Sequence, residues 1–182
     1  MSASALPHMT ADEFIAWAME QPETERYELV AGIVYAMAPE RVAHVRGKQG
    51  IFRRLGDAIG VSGLPCEAFV DGLVVRVDET TVYEPDAMVR CGPPLSDNTV
   101  TVTDPIIVVE VLSPSTRSID TGIKFTDYFR IPSLRHYLLV RVETRTIIHH
   151  ARDEAGTILT RIVRDGPITL DPPGLVLTDL FG

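Results

Sequence analysis

The chain has 182 residues, 45% of them apolar and 23% charged, ordinary values for a globular protein that exclude wholesale disorder, collagen-like repeats and coiled coil. Lys and Arg number 17 against 25 Asp and Glu, so the formal charge is −8, and an acidic chain has no general attraction for polyphosphate. A nucleic-acid coat protein is therefore not expected, whereas an enzyme that meets nucleic acid through a local basic patch, or one whose excess acid serves a metal, remains open.

One domain over 1–182 is expected, with a helical segment at 1–25 and an irregular tail at 164–182. Thr10 and Glu13 have the Thr-x-x-Glu spacing of a capping box, which predicts a helix over 11–20. Residues 27–30, the pair Ala31 and Gly32, and residues 33–37 read as a hairpin. A second helix is predicted over 42–59, with Val45, Phe52, Leu55 and Ile59 toward the core and Gly60 as its C-terminal cap. Strands over 72–78 and 81–90 follow, then the most apolar one, 106–112. Ser113 and Pro114 stop it, and a helix over 118–130 ends ahead of Pro132. Another strand covers 136–142, and 146–151 and 157–163 form a hairpin. The tail, 166–182, is rich in Pro and Gly and reads as irregular. The strand, helix and strand over 106–142 imply one crossover, so the class is α/β or α+β, a mixed sheet flanked by helices with a C-terminal β-hairpin.

No segment is apolar enough to span a bilayer, and residues 1–9 lack the basic-then-apolar order of a signal peptide. Cys66 and Cys91 are too few and too far apart in sequence for a disulfide framework or a zinc motif. An unexported, cytoplasmic protein in a reducing compartment is the simplest expectation.

Glu110 carries the most information. It interrupts an otherwise apolar run, Ile107 to Leu112, of the kind found in strands covered on both faces. Alternation puts Ile106, Val108, Glu110 and Leu112 on one face. An ionised carboxylate buried there costs several kcal/mol unless a cation or a donor meets it. That cation is either a structural arginine or the metal of a site. Asp86 lies 24 residues earlier, after Pro85 and before an apolar stretch. Alone it is an ordinary turn residue; with Glu110 it could converge on one hard cation, Mg²⁺ or Mn²⁺. Lys124 shares a helix face with Asp120 and Tyr128 at i−4 and i+4. It is either an exposed partner of Asp120 or a lysine that orients an attacking water beside a scissile phosphate. His44 begins a helix that carries Arg46, Lys48, Arg53 and Arg54, which is either a solvated basic face or a DNA-contacting one. His149 and His150 are adjacent on a strand, point to opposite sides and read as structural. Ser113 and Ser115 lack a Gly-x-Ser-x-Gly elbow, which argues against a serine hydrolase.

Pro85-Asp86, the string Val109-Glu110-Val111-Leu112-Ser113-Pro114-Ser115, and Asp120 and Lys124 with Tyr128 resemble the PD-(D/E)XK nuclease superfamily. With Tyr27 to Gly32 and His44 ahead of a helix, they are similar to its Uma-type branch of restriction-endonuclease-like proteins. The resemblance implies a sheet core in which Asp86 and Glu110, with the Val111 carbonyl, bind Mg²⁺. A Glu-x-Lys motif would place lysine at 112, where this chain has Leu112. In the Uma-type branch the lysine role moves to the following helix, which implies Lys124. Glu28 matches an N-terminal acid of the branch and joins the site as an auxiliary group. Residues 132–137 depart from the branch, which usually shows an acid followed by Tyr-Trp there.

The expectation is a Mg²⁺-dependent endonuclease acting on DNA as a homodimer, since cutting both strands needs two such sites. The rivals are a catalytically inactive nuclease-fold module for binding or regulation, and a small β-rich metabolite-binding domain. The position of Lys124 separates the first two; an all-β architecture would favour the third.

Overall fold

In the computed structural model, which describes residues 8–112, 122–179 and 181, three helices and thirteen strands are present among the described residues. They run α1 (Ala11–Ala18), β1 (Tyr27–Val30), β2 (Ile33–Ala36), α2 (Val42–Ser62), β3 (Cys66–Val70), β4 (Val74–Arg76), β5 (Val82–Tyr83), β6 (Ala87–Cys91), β7 (Thr101–Val102) and β8 (Ile107–Val111). There follow α3 (Ile123–Tyr128), β9 (His136–Arg141), β10 (Thr146–Arg152), β11 (Ile158–Val163), β12 (Ile168–Leu170) and β13 (Leu175–Leu177). The mixed α+β class is the one the element order predicts.

The larger sheet has six strands in the order β11-β10-β9-β8-β6-β3. β8 lies near its middle, parallel to β9 and antiparallel to β6. All five residues of β8 are buried, and its two faces serve two cores. Ile107, Val109 and Val111 pack with Ile51 and Leu55 of α2 and with the β12–β13 hairpin. Val108 and Leu112 pack with Tyr83, Tyr128, Tyr137 and Leu139 on the other side. Glu110 points to that second side by alternation, and it is 5% exposed. A five-stranded sheet, β2-β1-β5-β4-β7, carries α1 through a third cluster of Phe14, Leu29 and Val82. Each fully buried aliphatic or aromatic side chain of these cores contributes about 1.5–3 kcal/mol. The capping box at α1 forms as expected, with Thr10 Oγ1 accepting from the Glu13 amide and Glu13 accepting from the Thr10 amide.

Several boundaries differ from the sequence expectation, each for a physical reason. α2 runs on to Ser62 and ends at Gly63, whose φ of 65° is the left-handed cap; Gly60 lies within the helix. The buried stripe of α2 is Lys48, Ile51, Leu55 and Ala58, so Leu55 faces the core while Val45, Phe52 and Ile59 are half-buried. The predicted stripe left out Lys48, Ile51 and Ala58, which complete the buried face. The strand predicted over 81–90 is two strands in two sheets, because Pro85 has no amide hydrogen to continue a ladder. β3 and β7 were not anticipated. The tail predicted to be irregular contains the β12–β13 hairpin, whose Ile168, Leu170, Leu175 and Leu177 are all buried. Of the helix predicted over 118–130, residues 123–128 are helical, and 118–121 lie outside the described residues.

The two cysteines are joined. Cys66 and Cys91 are cross-strand neighbours in the β3–β6 pairing and form a disulfide. Their separation along the chain concealed a contact that strand register creates, so the reading of the pair as too far apart does not hold. No helix among the described residues is long and apolar enough to cross a membrane.

Candidate functional site

The tripeptide Glu84-Pro85-Asp86 carries the chain from the smaller sheet to the larger one, and the site is assembled around it. Asp86 is 4% exposed. Its Oδ2 accepts from the Val111 amide at 2.6 Å, which fixes it against the end of β8, one residue beyond Glu110. Its Oδ1 faces α2, 3.2 Å from His44 Nε2 and 3.8 Å from Lys48 Nζ. Glu84 accepts from the Gly72 amide at 2.8 Å and meets an Arg26 NH2 at 2.8 Å. The Glu84 amide donates to Glu28 Oε1 at 3.1 Å.

On the face of β8 that carries Glu110, Lys124 Nζ donates to Glu28 Oε1 at 2.9 Å and to Glu110 Oε1 at 3.0 Å. The lysine is 4% exposed and lies 5.1 Å from the centre of the Tyr83 ring. The Tyr128 hydroxyl, one turn on, donates to the same Glu110 oxygen at 2.9 Å. Burial pushes the Tyr128 phenol up, and the negative charge of Glu110 pushes it further, so it stays a donor. Lys124 is thus a buried group between two carboxylates, and the reading of it as an exposed partner of Asp120 does not survive; Asp120 itself lies outside the described residues.

The basic face expected on α2 divides. Arg46 is exposed. His44 is half-buried, and Lys48 is 2% exposed, so these two face the acids rather than solvent. Lys48 Nζ reaches Glu40 at 2.6 Å and Asp71 Oδ1 at 2.7 Å. Burial works against the positive charge of His44, but the hydrogen bond and charge of Asp86, with the charge of Glu40, outweigh it and raise its pKa. Lys48 is raised in the same way, burial being overcome by its bonds to Asp71 and Glu40. The helix can come this close because position 47 is glycine: a Cβ there would lie 2.7 Å from a Val142 methyl and 3.0 Å from a Val111 methyl.

Four members of this cluster escaped the sequence reading. Arg26, Glu40, Asp71 and Glu84 carry no motif of their own, although Glu84 stands two residues before Asp86 and Glu40 four before His44. Together the site holds six carboxylates, Glu28, Glu40, Asp71, Glu84, Asp86 and Glu110, against three fixed cations, Arg26, Lys48 and Lys124. With His44 neutral it has an excess of three negative charges, mostly buried. Such an excess is costly by itself and fits a divalent cation, and the hard oxygen donors suit Mg²⁺ or Mn²⁺. Elsewhere, His149 is buried and bonds through Nε2 to His136 Nδ1 at 3.0 Å, whose Nε2 meets the Pro172 carbonyl at 2.9 Å, while His150 bonds to Thr160. Both neighbours on β10 are thus engaged in hydrogen bonds away from the Asp86 and Glu110 cluster.

The Uma2 family, described as "Putative restriction endonuclease", matches residues 11–179. "Uncharacterized protein slr1290" of Synechocystis sp. (strain ATCC 27184 / PCC 6803 / Kazusa) is 30% identical over 177 residues, covering 95% of this chain and 90% of that protein. "Uncharacterized protein sll1609" of the same strain is 33% identical over 135 residues, covering 72% and 74%. The crystal structure of "a putative nuclease belonging to DUF820" from Anabaena variabilis ATCC 29413 superposes with a TM-score of 0.72 at 16% identity, covering 95% of this chain and 97% of that one, a likeness of fold.

Proposed function

We propose a nuclease function from one premise: the chain belongs to the Uma2 family. The reading is a divalent-metal-dependent endonuclease that hydrolyses DNA phosphodiester bonds. The observation that carries it is the position of Lys124, whose ammonium is buried within 3.0 Å of both Glu28 and Glu110 instead of lying in solvent.

Asp86 and Glu110, with the Val111 carbonyl, would hold Mg²⁺ or Mn²⁺. Such an ion, when bound, lowers the pKa of its water and neutralises phosphate charge. The protein's own groups do the rest. The Val111 amide and His44 hold Asp86 in place, and Tyr128 holds Glu110. Lys124 supplies a preorganised positive donor that orients the attacking water or offsets the charge that develops on the phosphate. Glu28 anchors Lys124 from the opposite side. Arg46, exposed on α2, is a candidate contact to the DNA backbone. The partner in cutting both strands is a second copy of the chain.

The test is nicking of supercoiled plasmid by the purified protein in Mg²⁺, Mn²⁺ or EDTA. Relaxed circles are expected with either ion and not with EDTA, and Asp86→Asn should abolish both the cleavage and the metal-induced rise in melting temperature. Equal metal-induced shifts in wild type and Asp86→Asn would remove Asp86 from the metal site. Metal binding without any cleavage would favour the inactive binding module. Sedimentation at twice the 20.0 kDa of the chain is expected for the dimer; a strict monomer would leave nicking as its activity.

A further inference from the structure

The α2 side of Asp86 contains a second set of metal-type donors. Glu40, His44 and Asp86 each offer one ligand atom, and the three atoms lie within 4.8 Å of one another. His44 Nε2 is 3.2 Å from Asp86 Oδ1 and 3.9 Å from Glu40 Oε1. Adjacent ligands on an octahedral ion with bonds of about 2.1 Å are about 3 Å apart. The trio is therefore open by less than about 2 Å at its widest. An imidazole with two carboxylates suits a first-row divalent ion such as Mn²⁺ better than Mg²⁺.

A cation is already there. Lys48 Nζ sits 2.6 Å from Glu40 and 3.8 Å from Asp86, so it neutralises two of the three ligands. Asp71 holds it from behind at 2.7 Å, and the side chain is 2% exposed. The contact is not a chance of surface rotamers. It depends on Gly47, which lets the helix approach Val111 and Val142 closely enough to bury the next residue. An ammonium and a divalent ion cannot both occupy the space between Glu40 and Asp86 Oδ1, because two cations at that one point repel strongly in a site shielded from water.

We propose that Glu40, His44 and Asp86 form a second divalent-cation site which this chain fills with the ammonium of Lys48, so that one exchangeable metal ion works beside a tethered positive charge. The inference deepens the reading above and rests on it only for the first ion, at Asp86 and Glu110. Lys48 acts here as a positioning residue: it places a positive charge 3.8 Å from Asp86 and orients it without polarising water as a metal would. Removing it exposes the trio and adds a fourth unmatched negative charge to the site, which strengthens the demand for an ion.

Mn²⁺ binding to the full chain, counted by electron paramagnetic resonance and probed for nitrogen coupling from a ligating imidazole, tests this. Wild type should bind one ion without nitrogen coupling. Lys48→Met and Lys48→Gln should bind two, one of them nitrogen-coupled, and adding His44→Ala should return the count to one and remove the coupling. Lys48→Arg, which keeps the charge, should behave as wild type. A nitrogen-coupled ion in wild type would overturn the proposal, and so would a folded Lys48→Met protein that still binds one uncoupled ion. If the Lys48 variants fold only with Mn²⁺ present, the ion has taken the ammonium's place and the proposal stands; if neither folds even with Mn²⁺, it fails. No bound ion in wild type would count against the Asp86–Glu110 metal alone, since one nitrogen-coupled ion in Lys48→Met would still support the second site.

Discussion

Replacing Lys124 by methionine keeps most of the side-chain volume and removes the charge that lies between Glu28 and Glu110. Both carboxylates are buried, and Lys124 meets them at 2.9 and 3.0 Å. Deleting one partner of a buried ion pair costs about 3–5 kcal/mol, because it leaves uncompensated charge out of water. For a chain of this size each kcal/mol moves the melting temperature by about 2–4 °C, so Lys124→Met should melt about 6–20 °C lower in EDTA. A divalent ion then has more to gain. At about 100 times its Kd it adds about 2.7 kcal/mol to a protein that binds it only when folded. The Mg²⁺-induced shift should therefore be larger in the variant than in wild type, and should recover much of the loss. The double variant Glu28→Gln/Lys124→Met removes one of the orphaned carboxylates and should be more stable than Lys124→Met alone. Plasmid turnover should fall by about 10²–10³ in Lys124→Met even where the protein is fully folded and metal-loaded, the scale for one lost preorganised donor. Thermal melts with and without metal, alongside the nicking assay, read both effects. A variant that melts with wild type and responds equally to Mg²⁺ would refute the buried bridge, and wild-type turnover would refute the catalytic role.

Reduction of the Cys66–Cys91 bond, or Cys66→Ser, should lower stability by about 3.5 kcal/mol, the loop-closure scale for a separation of 25 residues, read from urea midpoints with and without dithiothreitol. Burial, with the charges of His136 and Arg161, pushes His149 down to about 4, below its unfolded value of about 6.5. The unfolded chain therefore binds the extra proton first, and stability is full above pH 6.5 and falls by up to about 1.4 kcal/mol per unit between pH 6.5 and 4; His149→Gln should flatten that slope in urea titrations at pH 7 and 5. Gly47→Ala places a Cβ 2.7 Å from a Val142 methyl. It should cost about 1–3 kcal/mol by overpacking and weaken Mn²⁺ or Mg²⁺ binding as α2 backs away, while a melt matching wild type would show the helix has room.

The sequence made Glu110 legible because a charge inside an apolar strand has few explanations, and β8 is buried on both faces as its composition requires. Asp86, Lys124 and Glu28 became readable only through the resemblance, since an acid after proline and a lysine on a helix are commonplace. The α2 side of the site was hidden for a different reason. Lys48 occupies a buried helix position, yet a lysine among Arg46, Arg53 and Arg54 reads as part of an outward basic face, whether toward solvent or DNA. Glu40 and Asp71 come to it from segments 8 residues before and 23 after, a convergence that no local pattern records. The tail hairpin was missed because its Pro and Gly content masked the alternation of Ile168, Leu170, Leu175 and Leu177. The disulfide was missed because strand register, not spacing, brings Cys66 to Cys91.

Pro85 belongs to neither sheet, yet the acids on either side of it are tied to different parts of the molecule. Glu84 is held by Arg26 and the Gly72 amide, and Asp86 by the Val111 amide and His44. Adding or deleting one residue here would shift every side chain of β6 to the opposite face of its sheet, and would also pull one acid out of its partners. The segment 92–100 is held at its ends, where the Gly92 amide donates to the Pro65 carbonyl and the Val100 carbonyl accepts from the Val74 amide, so insertions between those two points leave both sheets in register. Length drift in relatives of this chain should therefore collect between β6 and β7 and spare the bridge between β5 and β6. In this segment the constraint on the gene is the number of codons as much as their meaning.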